Sequence, residues 1–384
     1  MKESKKKKFC KARLYFVITG RADYGLLSSI LKKICKNKLY TIHICYVLSN
    51  FANKEVEKEI AKDGLKIKTK INFEHKILSH SISDLIYKFS NDFKLVKPDF
   101  LVILGDRFEV FSASIAAFNN NIRIAHISGG ENTFGSLDNI YRNSITKMSS
   151  IHFVTNKFYK NNVLKMGELK KNIYIIDEPF KETFINSRRF SKNLLEKKFT
   201  FNFFKKNFLV TYHPNTIQSV KFNIDNLNIL LQSIEEFKNY LFIFNESNID
   251  QNYYQINQTI KDFCKHNSNC IFIPTLGYKY YYSFLSIING LIGNSSSGVI
   301  EAPILGLPSI NLGDRQLGRV SHSFYKTIVN VPFNKKLIKS AIKNLSRIRI
   351  SINKINQQDH NLPSSRFIAG LTRSLNTKLI NKFL

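Results

Sequence analysis

The sequence predicts an α/β protein made of two Rossmann-like halves that meet at a central cleft, and three observations carry this reading. Short apolar runs alternate with amphipathic helical stretches, and the alternation occurs twice along the chain. A stretch from about Lys181 to Lys206, rich in Lys, Arg, Asn and Phe and without strand periodicity, separates the two series. The 384 residues, 43% of them apolar, exceed what one ordinary domain holds. Domains over 1–182 and 183–384 follow.

In the first half the expected strands are Leu14 to Ile18, Ile42 to Leu48, Lys66 to Ile71, Phe100 to Leu104, Ile122 to Ile127, Ile151 to Val154 and Ile173 to Ile176. Between them apolar residues recur at three-to-four spacing over Leu26 to Lys36, Asn53 to Lys62, Ile82 to Phe93, Val110 to Phe118, Ile140 to Met148 and Phe158 to Met166. In the second half strands are expected at Phe208 to Tyr212, Tyr240 to Phe244, Cys270 to Ile273, Gly290 to Ile292, Ser309 to Leu312 and Ile328 to Val331. The helices there are Ile224 to Phe237, Tyr254 to His266, Tyr278 to Ile288, Ser297 to Leu305, Lys335 to Leu345 and Arg366 to Lys382. Parallel sheets bind ligands at the carboxyl ends of their strands, so polar motifs should follow strands.

Composition removes several classes. Charged residues make up 22% and apolar residues are abundant, which is not a disordered chain. No apolar run approaches the roughly 18 residues of a membrane span. The start, Lys5 to Lys8 before Leu14 to Ile18, reads as a basic tail entering a first strand, not as a secretory signal. Five cysteines without a CxxC pair argue against a disulfide scaffold or a zinc site, and a reducing cytoplasm fits. The 58 Lys and Arg against 28 Asp and Glu give a net charge of +30. That makes nucleic acid the first suspicion, but the lysines are scattered, with no nucleic-acid-binding motif and no basic–aromatic stripe. Lys, Asn, Ile and Phe abound throughout, which reads as a chain-wide compositional bias.

Polar motifs do follow the strands. After the first comes Thr19-Gly20-Arg21-Ala22-Asp23-Tyr24-Gly25, where a helix start and Arg21 would suit a phosphate. A plain turn with a solvated Arg is the alternative, and neither GxGxxG nor GxxxxGK[ST] is present. Gly105-Asp106-Arg107-Phe108-Glu109 offers acid–base or substrate-orienting groups, or a simple ion pair or helix cap. His126-Ile127-Ser128-Gly129-Gly130-Glu131, followed by Gly135, Asp138 and Arg142, concentrates carboxylates, a His and paired glycines in one loop, which packing alone explains poorly. His213 ends a strand, a place where a single His is more often structural than catalytic. Gly293-Asn294-Ser295-Ser296-Ser297-Gly298, with Glu301 a turn later, offers hydroxyls and N–H groups to a diphosphate and a carboxylate to ribose. Serine capping would explain one of these serines. Arg315 and Arg319, again after a strand, add positive charge.

These segments resemble the hydrolysing UDP-N-acetylglucosamine 2-epimerases, which supply precursors of sialic, legionaminic and related nonulosonic acids. The likeness rests on TGRADYG at Thr19 to Gly25, GDRFE at Gly105 to Glu109, HISGGE through SITKMSSIHF at His126 to Phe153, KMGE at Lys165 to Glu168, TYHP at Thr211 to Pro214, and GNSSSGVIEAP through NLGDRQLGR at Gly293 to Arg319. It implies a glycosyltransferase type B-like fold, with a nucleotide-binding second domain and a C-terminal helix crossing back toward the first. It implies elimination of UDP across C1 and C2 followed by water addition to the glycal, with no metal or other cofactor. Arg21, Ala22, Arg107, His213, Ser295, Ser296, Ser297, Glu301, Arg315 and Arg319 become the candidates for UDP binding. Asp106, Glu131, Asp138 and Arg142 become the catalytic candidates, with acid and base left unassigned. The implied partners are a UDP-amino sugar and a second copy of the chain in a homodimer, without nucleic acid or membrane.

The chain also departs from the family pattern. Asn50, Ser128 and Asn143 stand where relatives carry His, Glu or His, and His respectively. Ile176-Asp177-Glu178-Pro179 replaces VGxP, and Glu246-Ser247-Asn248-Ile249-Asp250 replaces PNAD. A catalytically silent UDP-sugar binder and a glycosyltransferase are the alternative readings.

Overall fold

Strands apolar on both faces, such as Phe100-Leu-Val-Ile-Leu104 with all five residues buried, require cover from helices on each side of a sheet. In the computed structural model, which describes residues 11–49, 55–74, 77–247, 253–274, 276–319, 327–348 and 362–376, that demand is met twice. The first sheet holds β1 (Ala12–Ile18), β2 (Tyr40–Ser49), β3 (Ile67–Phe73), β4 (Phe100–Leu104), β5 (Arg123–Ile127), β6 (Ile151–Val154) and β7 (Ile173–Ile175). All its pairings are parallel, in the order β3-β2-β1-β4-β5-β6-β7. The second holds β8 (Lys206–Thr211), β9 (Tyr240–Asn245), β10 (Cys270–Ile273), β11 (Gly290–Gly293), β12 (Ser309–Leu312) and β13 (Ile328–Val331), also parallel, in the order β10-β9-β8-β11-β12-β13. Each order reverses once, between β1 and β4 and between β8 and β11. In parallel sheets such a reversal is where ligands bind, at the carboxyl ends of the strands.

By their contacts the described residues fall into two compact units: 11–130, 140–183 and the helix Pro363–Asn376 in one, 131–139 and 184–348 in the other. The division at 182/183 expected from sequence left 131–139 with the first span. Contacts group that segment with the second sheet instead.

The expected strands are all present, with ends shifted by a residue or two, while the helices differ in instructive ways. Helix α1 runs Arg21–Ile34 and starts five residues before Leu26. Asp23 draws it forward, because its carboxylate accepts from the backbone N–H and hydroxyl of Thr19 and so ties the strand end to the helix's first turn. Arg21 and Ala22 are therefore helical, not part of a loop. The stretch 181–206, read as the domain junction and without strand periodicity, carries helices α7 (Pro179–Asn186) and α8 (Lys192–Phe199), the latter capped by Ser191 accepting from Leu194 N–H. The helix expected over Ser297 to Leu305 is broken into a 3-10 turn, Ser296–Gly298, and a one-turn helix, Glu301–Ile304. Pro303 has no N–H to donate, and Gly298 resists helix on entropic grounds. The final helix is described over Pro363–Asn376, so its expected end at Lys382 lies outside the described residues, as do Lys2 to Lys8, Asn50, Asn53, Asn248 and Asp250.

That final helix belongs to the first unit through a buried polar contact. Both oxygens of Glu182 are used: Oε2 accepts from Ser364 N–H at 2.9 Å and Oε1 from the Ser364 hydroxyl at 2.7 Å. A helix start leaves N–H groups unpaired, and here a carboxylate from α7 satisfies one of them. Gly370 lets the same helix lie against Phe153 and Tyr174, where a Cβ would stand 2.8–2.9 Å from their rings. Glu182→Ala should leave the Ser364 N–H unsatisfied and cost about 2 kcal/mol of stability, read as a lower urea midpoint. An unchanged midpoint would mean that the helix docks without the pair.

Candidate functional site

At the switch point of the second sheet, β8 and β11 run so close that only hydrogen fits between them. Gly293 has φ 141°, and a Cβ there would overlap the Thr211 carbonyl oxygen. The next residue exploits the approach. Asn294 Oδ1 accepts from His213 N–H at 2.7 Å and its Nδ2 donates to His213 C=O at 2.7 Å, so one buried side chain pairs with both backbone groups of His213. The His213 ring is buried, with Nδ1 3.2 Å from the Ser247 hydroxyl. The Asn294 carbonyl receives Arg315 Nη1 at 3.3 Å and Gln316 Nε2 at 2.9 Å. Four residues from three loops are thereby fixed around one peptide unit.

The serine turn follows. Ser295 Oγ accepts from Ser297 N–H at 3.4 Å, the capping role that the sequence allowed for one serine. Ser297 has a different commitment: its hydroxyl donates to Glu301 Oε2 and accepts from the Tyr281 hydroxyl of α11 (Gly277–Leu285). Ser295 and Ser296 are half-buried at the strand edge, whereas Ser297 is buried. Of the three serine hydroxyls expected from sequence to be offered to a diphosphate, that of Ser297 gives its one proton to Glu301. Loss of water around the Glu301 carboxyl pushes its pKa up to about 7.

The segment 131–139 closes against the loop after β12. Phe134 N–H donates to Leu317 C=O at 3.0 Å, and Gly135 lies so close to Arg315 that a Cβ would meet its Cα at 2.8 Å. Glu131 is buried and paired with Arg319 Nη1 at 3.1 Å. Burial raises the pKa of Glu131, and Arg319 opposes the shift. Asp138 is half-buried at the start of α5 (Asp138–Met148), its backbone N–H bonded to Ser136 Oγ at 3.2 Å. Thr216, beyond His213, contacts the same loop through Ser136 Oγ and Leu137 N–H.

In the first unit, the switch point between β1 and β4 carries Arg21 and Ala22 on one side and Asp106 and Arg107 on the other. Asp106, 19% exposed, is ion-paired with Arg142 of α5, which is 1% exposed and the largest fully buried side chain described. Breaking such a pair from one side costs roughly 3–5 kcal/mol, so the two are held as a unit. Arg107 turns back onto Glu109, with Nη2 to Oε1 at 2.9 Å, which is the local ion pair that the sequence left open. Beneath the turn, burial lowers the pKa of His126 to about 3, and Nε2 of its neutral ring donates to Gly105 C=O at 2.8 Å. Ser128 takes φ 65°, a left-handed conformation uncommon for a residue with a Cβ, and Asn143 is half-buried on α5.

His213, Ser295, Ser296, Ser297, Glu301, Arg315, Arg319, Glu131 and Asp138 thus lie in the second unit, and Arg21, Ala22, Asp106, Arg107 and Arg142 in the first. Sequence reasoning quoted Asn294 and Gln316 within motifs without giving them a role, and missed Tyr281. A strand-end Gly-Asn was the available signal for Asn294, but nothing in the pattern around Tyr281 marks it out. Among the described residues no group of three or more His, Cys, Asp or Glu could hold a metal ion, and no helix is long and apolar enough to cross a membrane.

Comparison with known proteins agrees with this layout. The family model described as UDP-N-acetylglucosamine 2-epimerase matches residues 39–364. A Campylobacter jejuni GDP/UDP-N,N'-diacetylbacillosamine 2-epimerase (hydrolyzing) is 35% identical over 318 residues, 81% of this chain and 82% of that protein. The Escherichia coli polysialic acid biosynthesis protein P7 is 31% identical over 95% of each chain. In fold, the Methanocaldococcus jannaschii UDP-GlcNAc 2-epimerase, crystallised with UDP-GlcNAc and UDP, aligns with a TM-score of 0.81 at 18% identity, over 94% of this chain and 99% of that one.

The raised pKa of Glu301 has a stability consequence. The folded state holds the proton to higher pH than the unfolded chain, so stability falls as pH rises from about 4.5 through about 7. Glu301→Gln should remove that part of the slope. Thermal denaturation of both proteins across this range checks it, and parallel profiles would refute it.

Proposed function

The chain belongs to the UDP-N-acetylglucosamine 2-epimerase family, and from that premise we propose that it is a hydrolysing UDP-sugar 2-epimerase. The substrate class is UDP-N-acetylglucosamine or a UDP-2,4-diacetamido sugar. The relative named for diacetylbacillosamine favours the diacetamido form. The products are UDP and a free N-acetylmannosamine-type sugar for nonulosonic acid biosynthesis, and the working form is a homodimer. The observation that carries the reading is the assembly around Asn294: a buried His213, a serine turn, Arg315 and Glu301 gathered at one switch point.

In the first step the C2–H proton is removed and the bond from C1 to the UDP oxygen breaks, giving a glycal and UDP. In the second, water supplies hydroxyl to C1 and a proton reaches C2 from the opposite face. One water is consumed and the configuration at C2 inverts. The site must therefore supply a base, an acid and stabilisation for the departing anion.

Asp106, facing the buried Arg142 guanidinium, is proposed as the base, with Arg142 as its positioning partner. Glu131, whose burial favours the neutral acid, is proposed as proton donor, and Asp138 as the further carboxylate near C1 and C2. Arg315, His213, Ser295 and Ser296 would hold the diphosphate, and Glu301 the ribose hydroxyls. Arg21, Ala22 and Arg107 are proposed as further substrate-binding residues, while Arg319 acts through Glu131.

The test is incubation with each UDP-sugar in deuterated water. UDP release with deuterium at C2 is expected, and Asp106→Asn should lower the rate by about 10²–10⁴-fold. UDP binding with neither release nor exchange would sink the activity and leave a nucleotide-sugar binder.

A further inference from the structure

We infer that Tyr281 is a positioning residue for the nucleotide: acting through Ser297, it holds the Glu301 carboxylate turned to accept the ribose hydroxyls. The inference rests on the proposed UDP site and adds a residue that no motif contains. Its basis is a directional chain. The Tyr281 hydroxyl donates to Ser297 Oγ, and Ser297 donates its only proton to Glu301 Oε2. Each hydroxyl has a single proton to give, and a carboxylate oxygen only accepts, so the order runs from Tyr281 through Ser297 and ends on Glu301. With Oε2 occupied, Oε1 remains to accept from a diol.

Tyr281 differs in this from its neighbours. Tyr282 is 3% exposed and packs edge-on against Phe184 at 5.5 Å, the behaviour of a core aromatic. Tyr281 is half-buried and directs its hydroxyl into the serine turn. Its position also answers a problem of charge. Tyr281 and Tyr282 from α11 and Ser297 from the turn face Glu301, and none of them brings a positive charge. Burial therefore favours the protonated carboxyl, which would offer a donor where the ribose needs an acceptor. Donation from Ser297 pulls the other way, and Tyr281 keeps Ser297 in the donating orientation.

The experiment is calorimetric titration of the full chain at neutral pH with UDP and with 2′,3′-dideoxy-UDP, which lacks both ribose hydroxyls. Glu301→Gln should weaken UDP and leave the dideoxy ligand within about twofold. Tyr281→Phe, which keeps the ring, and Ser297→Ala should each weaken UDP about three- to tenfold, the scale of one hydrogen bond, with the dideoxy ligand again unaffected. Combining Tyr281→Phe with Glu301→Gln should be no worse than Glu301→Gln alone. Equal weakening of both ligands by Tyr281→Phe, no weakening of either, or additivity with Glu301→Gln would overturn the inference. Wild-type protein that binds UDP with no dependence on Glu301 would overturn it alone. Wild-type protein that binds neither ligand would bring down the UDP reading first and the inference with it.

Discussion

The second unit's site depends on a backbone approach that permits no side chain. Where β8 and β11 part, Gly293 lies against the Thr211 carbonyl, and this closeness brings Asn294 within reach of both polar backbone groups of His213. Arg315 and Gln316 then converge on the Asn294 carbonyl, and the serine turn begins one residue later. A residue with a Cβ at 293 would push the strands apart and release all of these contacts together. Parallel strands diverge at a switch point by topology, but here the divergence is delayed by the one residue that tolerates the contact.

A second constraint is the cost of burying charge. Two carboxylates at the edge of the sheets are matched with guanidinium groups, Asp106 with Arg142 and Glu131 with Arg319. A lone ionised group at such depth would be neutralised or would unfold its surroundings. In each pair the guanidinium offsets part of the cost of burying the carboxylate. The pairs also put the net charge of +30 in perspective. Two of the cations, Arg142 and Arg319, are committed to these pairs, whereas among the described residues most lysines lie on helices, and exposed charges of that kind are screened by water and salt.

Much of the fold was legible because its signals are local. Apolar runs such as Phe100–Leu104 and Ser309–Leu312 mark buried strands by composition alone, and their bounds agree with the structure. The misread elements were settled by contacts between residues near and far. Asp23 reaching back to Thr19 lengthened the first helix, and Ser191 capped a helix in the stretch read as the domain junction. In Ser297–Leu305 the local breakers Gly298 and Pro303 outweighed helical spacing. The candidate residues Asp106, Glu131, His213 and Arg315 were legible at strand ends, where the structure has them. Their partners were not legible, because ion pairs such as Glu131 with Arg319 join positions far apart in the chain.

The sequence by itself determined the class of fold, the number of parallel sheets, the strand-end location of the polar motifs and the family likeness those motifs carry. These follow from periodicity and from the order of residues, which are properties of the chain alone. Tertiary structure decided which partners the candidates hold within the chain. Ser297, one of three serines alike in sequence, gives its proton to Glu301, while Tyr281, unmarked by any motif, supports it. The reason is that a hydroxyl has one proton and a buried carboxylate needs partners. Who supplies them depends on neighbours in space, and the chain order does not name them.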